Sequence, residues 1–251
     1  MSEAWSFFRE RWTHPEVTFS PKPMWFLNGA LEEGEMTRQL EDFAAHGVRG
    51  VILHPRIGLP KDLEYLGDRF MGLIRHAVSE CARLGMEVLL YDEGMYPSGS
   101  ANGQVVREDP AFASRGLRMV EGPWKPAPGE AAVAHLALLK SGVACTQARS
   151  LSENEQPCPG ETEAWLISAF THGTIRGIHE DEDDGGPNVP PSADILNPEA
   201  VRCFIRRTHD RYAEWVGEWF GSTITCFFCD EPDPMGRNAP RGWVPWTPGL
   251  E

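Results

Sequence analysis

Two short apolar runs each end in a pair of carboxylates. Glu87-Val88-Leu89-Leu90-Tyr91 leads into Asp92-Glu93, and Ile224-Thr225-Cys226-Phe227-Phe228-Cys229 leads into Asp230-Glu231. Leaving two acids at the end of a buried strand is costly unless they are solvated or used, and paired carboxyl groups are the raw material of general acid–base chemistry. In a β/α barrel that place is the face on which active sites are built. Asp is also common in ordinary turns, so a single pair would say little. Two pairs in equivalent places, each followed by Gly or Pro, point to a site.

Other residues fall at the same ends of strand-like runs. Trp25 and Asn28 close the run Met24-Trp25-Phe26-Leu27, and His54 and Arg56 follow Val48 to Leu53. Asn28 and Arg56 could bind hydroxyl or carboxylate groups, and His54 is a hydrogen-bonding candidate. Trp25 reads either as core or as a stacking surface. Tyr96 and Ser98, in the loop after Glu93, read as ligands or as plain turn chemistry. Among the 8 histidines there is no H-x-H and no H-E-x-x-H. No G-x-G-x-x-G, phosphate loop or G-x-S-x-G is present, so no cofactor and no metal is expected.

The elements that must hold these residues follow from periodicity. Glu32 to His46 reads as a helix with Met36, Leu40 and Phe43 on one face, closed by Gly47. Asp68 to Leu84 reads as a second helix, carrying Phe70, Leu73, Ile74, Ala77, Val78 and Cys81, with Gly85 as its cap. Asn197 and Pro198 open a third, running to about Trp219 with Phe204, Ile205, Tyr212, Trp215 and Val216 inward. Strand, helix, Gly, strand predicts repeated β/α units and a parallel sheet.

The expected fold class is α/β, a partial (β/α)8 barrel of about four units with a β-rich insertion after the third strand. An N-terminal arm takes residues 1–20 and the first units 21–109. The insertion takes 110–191, with β-like runs at Ala131 to Leu139 and Ala164 to Phe170. The barrel continues over 192–251 through a fourth strand, where the chain reads as truncated. The tail from Pro232 shows no clear element.

Composition narrows the partners. Net charge is −14 over 251 residues, which disfavours nucleic acid and anionic membranes. His179 to Asp184 is an acidic run read as a solvated loop, since calcium-loop spacing is missing. Met1-Ser2-Glu3-Ala4-Trp5 is polar and acidic, so a cytoplasmic location is expected, with the 6 cysteines reduced and buried. Cys226 and Cys229 lie in one strand-like run, facing opposite sides rather than forming a redox or zinc pair.

Taken together, Trp25-Phe26-Leu27-Asn28-Gly29, Tyr91-Asp92-Glu93-Gly94 with Pro97-Ser98-Gly99 and Gly103, Leu196-Asn197-Pro198-Glu199-Ala200, Phe220-Gly221 and Phe228-Cys229-Asp230-Glu231-Pro232 resemble a known family. It is the rhamnosidase-type glycoside hydrolases (family 106) and their uncharacterised bacterial relatives, at the start of the catalytic barrel. The resemblance implies a carbohydrate substrate, Glu231 as general acid, and Asp92 and Glu93 as the acidic pair lining the sugar pocket. Asp230 would orient Glu231, and Glu93 is either the second catalytic carboxyl or a sugar ligand. This chain departs from the family in stopping soon after the fourth strand, without sandwich domains. A missing C-terminal half, or self-association, would complete it. Two alternatives stay open: a vestigial half-barrel that binds carbohydrate without turnover, and a metal-dependent barrel hydrolase.

Overall fold

A computed structural model of the chain describes residues 3–13, 15–16 and 19–250. It is a mixed α/β structure with two sheets. Helix α1 (Glu3–Thr13) comes first, and the sequence left this arm without an element. Its Trp5, Phe7, Phe8 and Trp12 are all exposed.

Strand β1 (Met24–Leu27), helix α2 (Glu33–Ala45), strand β2 (Gly50–Pro55), helix α3 (Asp68–Leu84) and strand β3 (Glu87–Tyr91) follow in the alternation the periodicity predicts. After α4 (Gln104–Glu108) come four strands: β4 (Arg115–Glu121), β5 (Ala131–Ser141), β6 (Ala144–Ser150) and β7 (Glu161–Phe170). Helices α5 (Pro198–Arg207) and α6 (His209–Val216) then lead to β8 (Ile224–Phe228) and the two-residue β9 (Val244–Pro245).

The parallel sheet has the order β1-β2-β3-β8. Its register pairs Trp25 with Leu53, Val51 with Val88, and Tyr91 with Phe228. Period-2 alternation sorts the two faces. Trp25, Leu27, Val51, Leu53, Val88, Leu90 and Ile224 join the helices in one core. Phe70, Met71, Ile74, Ala77, Val78 and Cys81 of α3 are fully buried in it, each large side chain contributing about 1.5–3 kcal/mol. On the other face, Met24 and Phe26 remain 38% and 44% exposed. The four strands do not close on themselves.

The second sheet is curled and antiparallel, in the order β6-β5-β7-β4-β9. Its last member corrects the reading of the tail as elementless: Val244 and Pro245 pair with Leu117 and Gly116. The expected third helix is also two. Thr208 turns its hydroxyl back onto the Phe204 carbonyl and ends α5, the local competition that makes Thr a helix interrupter. Ile205, expected inward, is 42% exposed, one position past the buried stripe of Ala200, Cys203 and Phe204.

Two further expectations need correction. Cys81 and Cys203 are buried, but Cys145, Cys158, Cys226 and Cys229 are exposed, all as free thiols. The acidic run is no free loop either. Asp181 pairs with Lys61 at 2.8 Å, Asp183 with Arg176 at 2.5 Å, and Asp184 with Arg237. No helix among the described residues is long and apolar enough to cross a membrane.

The caps behave as read. Asn197 accepts from the Glu199 N–H, and Gly85 ends α3 at φ 63°. That left-handed residue costs glycine nothing, and no atom lies within 4 Å of where its Cβ would stand. Gly85→Ala should therefore destabilise the fold by about 1 kcal/mol through backbone strain alone. Chemical denaturation should show a lower midpoint with unchanged m-value.

Candidate functional site

Both acidic pairs lie at the C-terminal ends of neighbouring strands, where β3 and β8 pair up to Tyr91 and Phe228. Beyond that point the four carboxylates have different surroundings.

Glu93 is completely buried. One carboxylate oxygen accepts the N–H groups of Gly94 and Asn102, and the other those of Gly99, Ser100 and Ala101, at 2.5–3.1 Å. Backbone of this kind curls its donors inward only by visiting left-handed conformations. Gly99, Ala101, Asn102 and Gly103 all do so, at φ 129°, 49°, 52° and 75°, forming an anion nest. Burial pushes the Glu93 carboxyl up to about 7 against the pull of the Asn102, Gly94 and Ser100 N–H groups. Glu93 is the residue expected as the second catalytic carboxyl or as a sugar ligand. Both its oxygens are taken and no surface of it is open, so it builds the loop that surrounds it.

Asp92 is 2% exposed. It accepts a 2.6 Å bond from the Ser98 hydroxyl, and His209 Nε2 stands 3.9 Å from its other oxygen. Burial raises its pKa, while Ser98, Cys229 and His209 pull it down. Asp230 is half-buried and accepts the Tyr91 hydroxyl at 2.6 Å. Ser98 joins the two pairs. Its N–H donates to the Asp230 carbonyl, and its hydroxyl, besides donating to Asp92, accepts the Asp230 N–H at 2.8 Å.

Glu231 differs from all three. It is exposed, and its φ is 40°. A non-glycine residue in the left-handed region is held there at a cost of about 1 kcal/mol or more, and such residues cluster at functional sites.

The remaining candidates divide by sheet face. His54 is buried, its ring 3.9 Å from that of Tyr91. Burial lowers its pKa, while its bond to the Pro55 carbonyl and the charge of Asp230 oppose the shift. Arg56 lies over the Phe26 ring at 4.3 Å, a cation–π pair at the mouth of that face. Asn28 is exposed in the loop after β1. Tyr96 is half-buried, with the Arg237 guanidinium 5.1 Å from its ring centre. Trp25 does not join them. It is 7% exposed on the helix side, edge-on to Phe43, with its N–H bonded to Gln39 at 2.7 Å. A pleated strand sends Trp25 and Phe26 to opposite faces, so the ring that lies beside His54 and under Arg56 is Phe26.

Sequence reasoning missed Tyr91, His209 and Cys229 as neighbours of the acids, and assigned Ser98 no partner. His209 reaches Asp92 because the helix breaks at Thr208, whose hydroxyl lies 2.9 Å from His209 Nδ1. Cys229 is exposed as a residue, but partial burial of its sulfur and the Asp92 charge raise the thiol to about 11, so it is a poor nucleophile. No group of three His, Cys, Asp or Glu side chains among the described residues is placed to hold a metal ion.

Fold and site together define a mixed α/β protein with an acidic cluster at the C-terminal ends of adjacent parallel strands. No protein-family model and no curated protein matches the chain. Among solved structures, the rhamnosidase from Novosphingobium sp. PP1Y is similar, at 17% identity and a TM-score of 0.41. The likeness covers 51% of this chain and 15% of that one.

The nest makes a direct prediction. Glu93→Gln keeps the size of the side chain but replaces one acceptor oxygen with a donor facing N–H groups. At least two buried N–H groups lose their partner, at about 1–3 kcal/mol each. The variant should melt about 6 °C lower or more, measured by calorimetry, whereas Glu231→Gln should melt within about 2 °C of the parent.

Proposed function

We propose that this chain acts on glycosides at the acidic rim, and that its parallel sheet is four strands of a (β/α)8-type barrel. The observation that carries the reading is the pairing of a rigid, stitched base with one exposed acid. Asp92, Ser98, Asp230 and Tyr91 are locked to one another, while Glu231 projects into solvent from strained backbone beside them.

Glycosidic cleavage needs an acid to protonate the leaving oxygen and a second carboxyl to hold the developing positive charge or activate water. Glu231 takes the first role. Bound substrate would exclude water from it and supply its desolvation. Asp230 is a positioning residue. Tyr91 binds its side chain and Ser98 its backbone on both sides, so the turn carrying Glu231 has little freedom. Phe26 and Arg56 offer an apolar face and a donor fork to a sugar ring.

Binding without turnover is the second reading, favoured by the nest: with Glu93 sequestered, the two pairs offer no second free glutamate. Assays on an aryl α-L-rhamnoside and an unactivated disaccharide, alongside calorimetric titration with each, separate the two. Glu231→Gln should cut turnover of the disaccharide about 10²–10⁴-fold and spare the aryl glycoside, whose leaving group needs no proton. Binding with no turnover in the parent protein would select the second reading. Equal loss on both substrates would remove Glu231 from the acid role.

Ser98→Ala deletes the hydroxyl that joins the two pairs. It should lower kcat with little change in KM, since it loosens the turn without touching substrate.

A further inference from the structure

A cavity of about 470 Å³ opens beside the Glu93 nest. Its walls come from the loop after β2, the loop and α4 after β3, and residues 179–191. We propose that it binds a neutral polyhydroxylated ligand of sugar size. The ligand class follows from the lining alone, so it stands or falls separately from the rim reading.

The charges of the lining cancel. Lys61 and Arg107 stand against Asp181 and Glu182, which gives no preference to a phosphate or a cation. Each charge is already fixed by a partner and still has capacity. Lys61 spends one of its protons on Asp181, at 2.8 Å, and the Asn188 amide donates to the same oxygen at 2.8 Å. Arg107 spends one N–H on the Asn102 carbonyl, at 2.9 Å. A guanidinium has five N–H donors and an ammonium three. Several fixed donors therefore stand beside two carboxylate acceptors, which is what hydroxyl groups need, since each both donates and accepts.

One side of the cavity is apolar. Pro190 and Pro191 lie so close to Gly103 that a Cβ there would stand 2.9 and 3.1 Å from them. Pyrrolidine rings beside polar groups suit the C–H face of a sugar ring. The volume lies within the usual range for small-ligand sites.

The wall is also rigid, because the nest anchors it. Asn102 is 4% exposed. Its backbone N–H binds Glu93, and its side-chain amide donates to Glu182 at 3.2 Å. Glu182 is further held by the His179 N–H at 3.1 Å. The cavity lining is thus pre-organised, which reduces the ordering cost of binding.

Amide NMR of the ¹⁵N-labelled chain tests the proposal, with methyl α-L-rhamnopyranoside, methyl α-D-glucopyranoside and inorganic phosphate as probes. At least one glycoside should shift the amides of Gly103, Arg107 and Asn188 saturably, with a Kd in the millimolar range or tighter. Asn188→Ala should weaken it about tenfold, and Val189→Trp, which fills the cavity, should abolish it. Glu231→Gln should leave it unchanged. Arg107→Gln is the further check if Val189→Trp alters the amide spectrum as a whole, and it too should weaken binding about tenfold. Three results would overturn the proposal. One is saturation of these amides by phosphate but by neither glycoside. Another is glycoside shifts confined to residues 228–233. The third is no saturable shift at concentrations well above the millimolar range.

Discussion

The carboxylate of Glu93 is the interaction on which the rest depends. Five N–H groups converge on two fully buried oxygens. Ala101 and Asn102 are held in backbone conformations that each cost about 1 kcal/mol or more in isolation. Neither feature is stable alone. A buried carboxyl without donors would be strongly penalised, and a left-handed loop without an anion would relax. Each supplies what the other lacks, and the loop from Gly94 to Gly103 takes its shape from that exchange.

Three surfaces inherit the result. The loop places Ser98 where it binds both Asp92 and Asp230. It positions Asn102 in the wall of the cavity beside the nest. It also packs tightly enough to fix side-chain size at a distance. A Cβ on Gly94 would stand 2.8 Å from the Asn102 amide oxygen, and one on Gly99 would stand 2.6 Å from Ile195. Substitution at either glycine would push the nest open from outside.

The sequence carried the parallel sheet well, because period-2 strands and period-3.6 helices leave separate marks. Asp68–Leu84, with its buried stripe and Gly cap, emerged with the predicted bounds. The position of both acidic pairs after their strands was also legible. What each carboxylate does was not. Glu93 and Glu231 look alike in sequence, yet one is sealed in a nest and the other is exposed. That difference depends on the path of residues 94–103, which periodicity does not encode. The break at Thr208 escaped for a similar reason, since one hydroxyl folding back on a carbonyl leaves the apolar stripe intact on both sides. Trp25 was ambiguous until the pleat assigned it to the helix side.

The order of the parallel sheet has a consequence for how the chain is made. β3 pairs on one side with β2, which precedes it, and on the other with β8, whose residues begin at Ile224. Everything from Asp92 to Thr223 must leave the ribosome before that second edge can be covered. At about 5–20 residues per second, the nascent chain carries an open β3 edge for roughly seven to twenty-six seconds. The run Glu87 to Tyr91 is apolar apart from its first residue, so during that interval it is a template for any neighbouring chain. The nest needs nothing beyond Asn102 in sequence to supply its donors. It can form early, holding the end of β3 in a tight loop while the strand waits for its last partner.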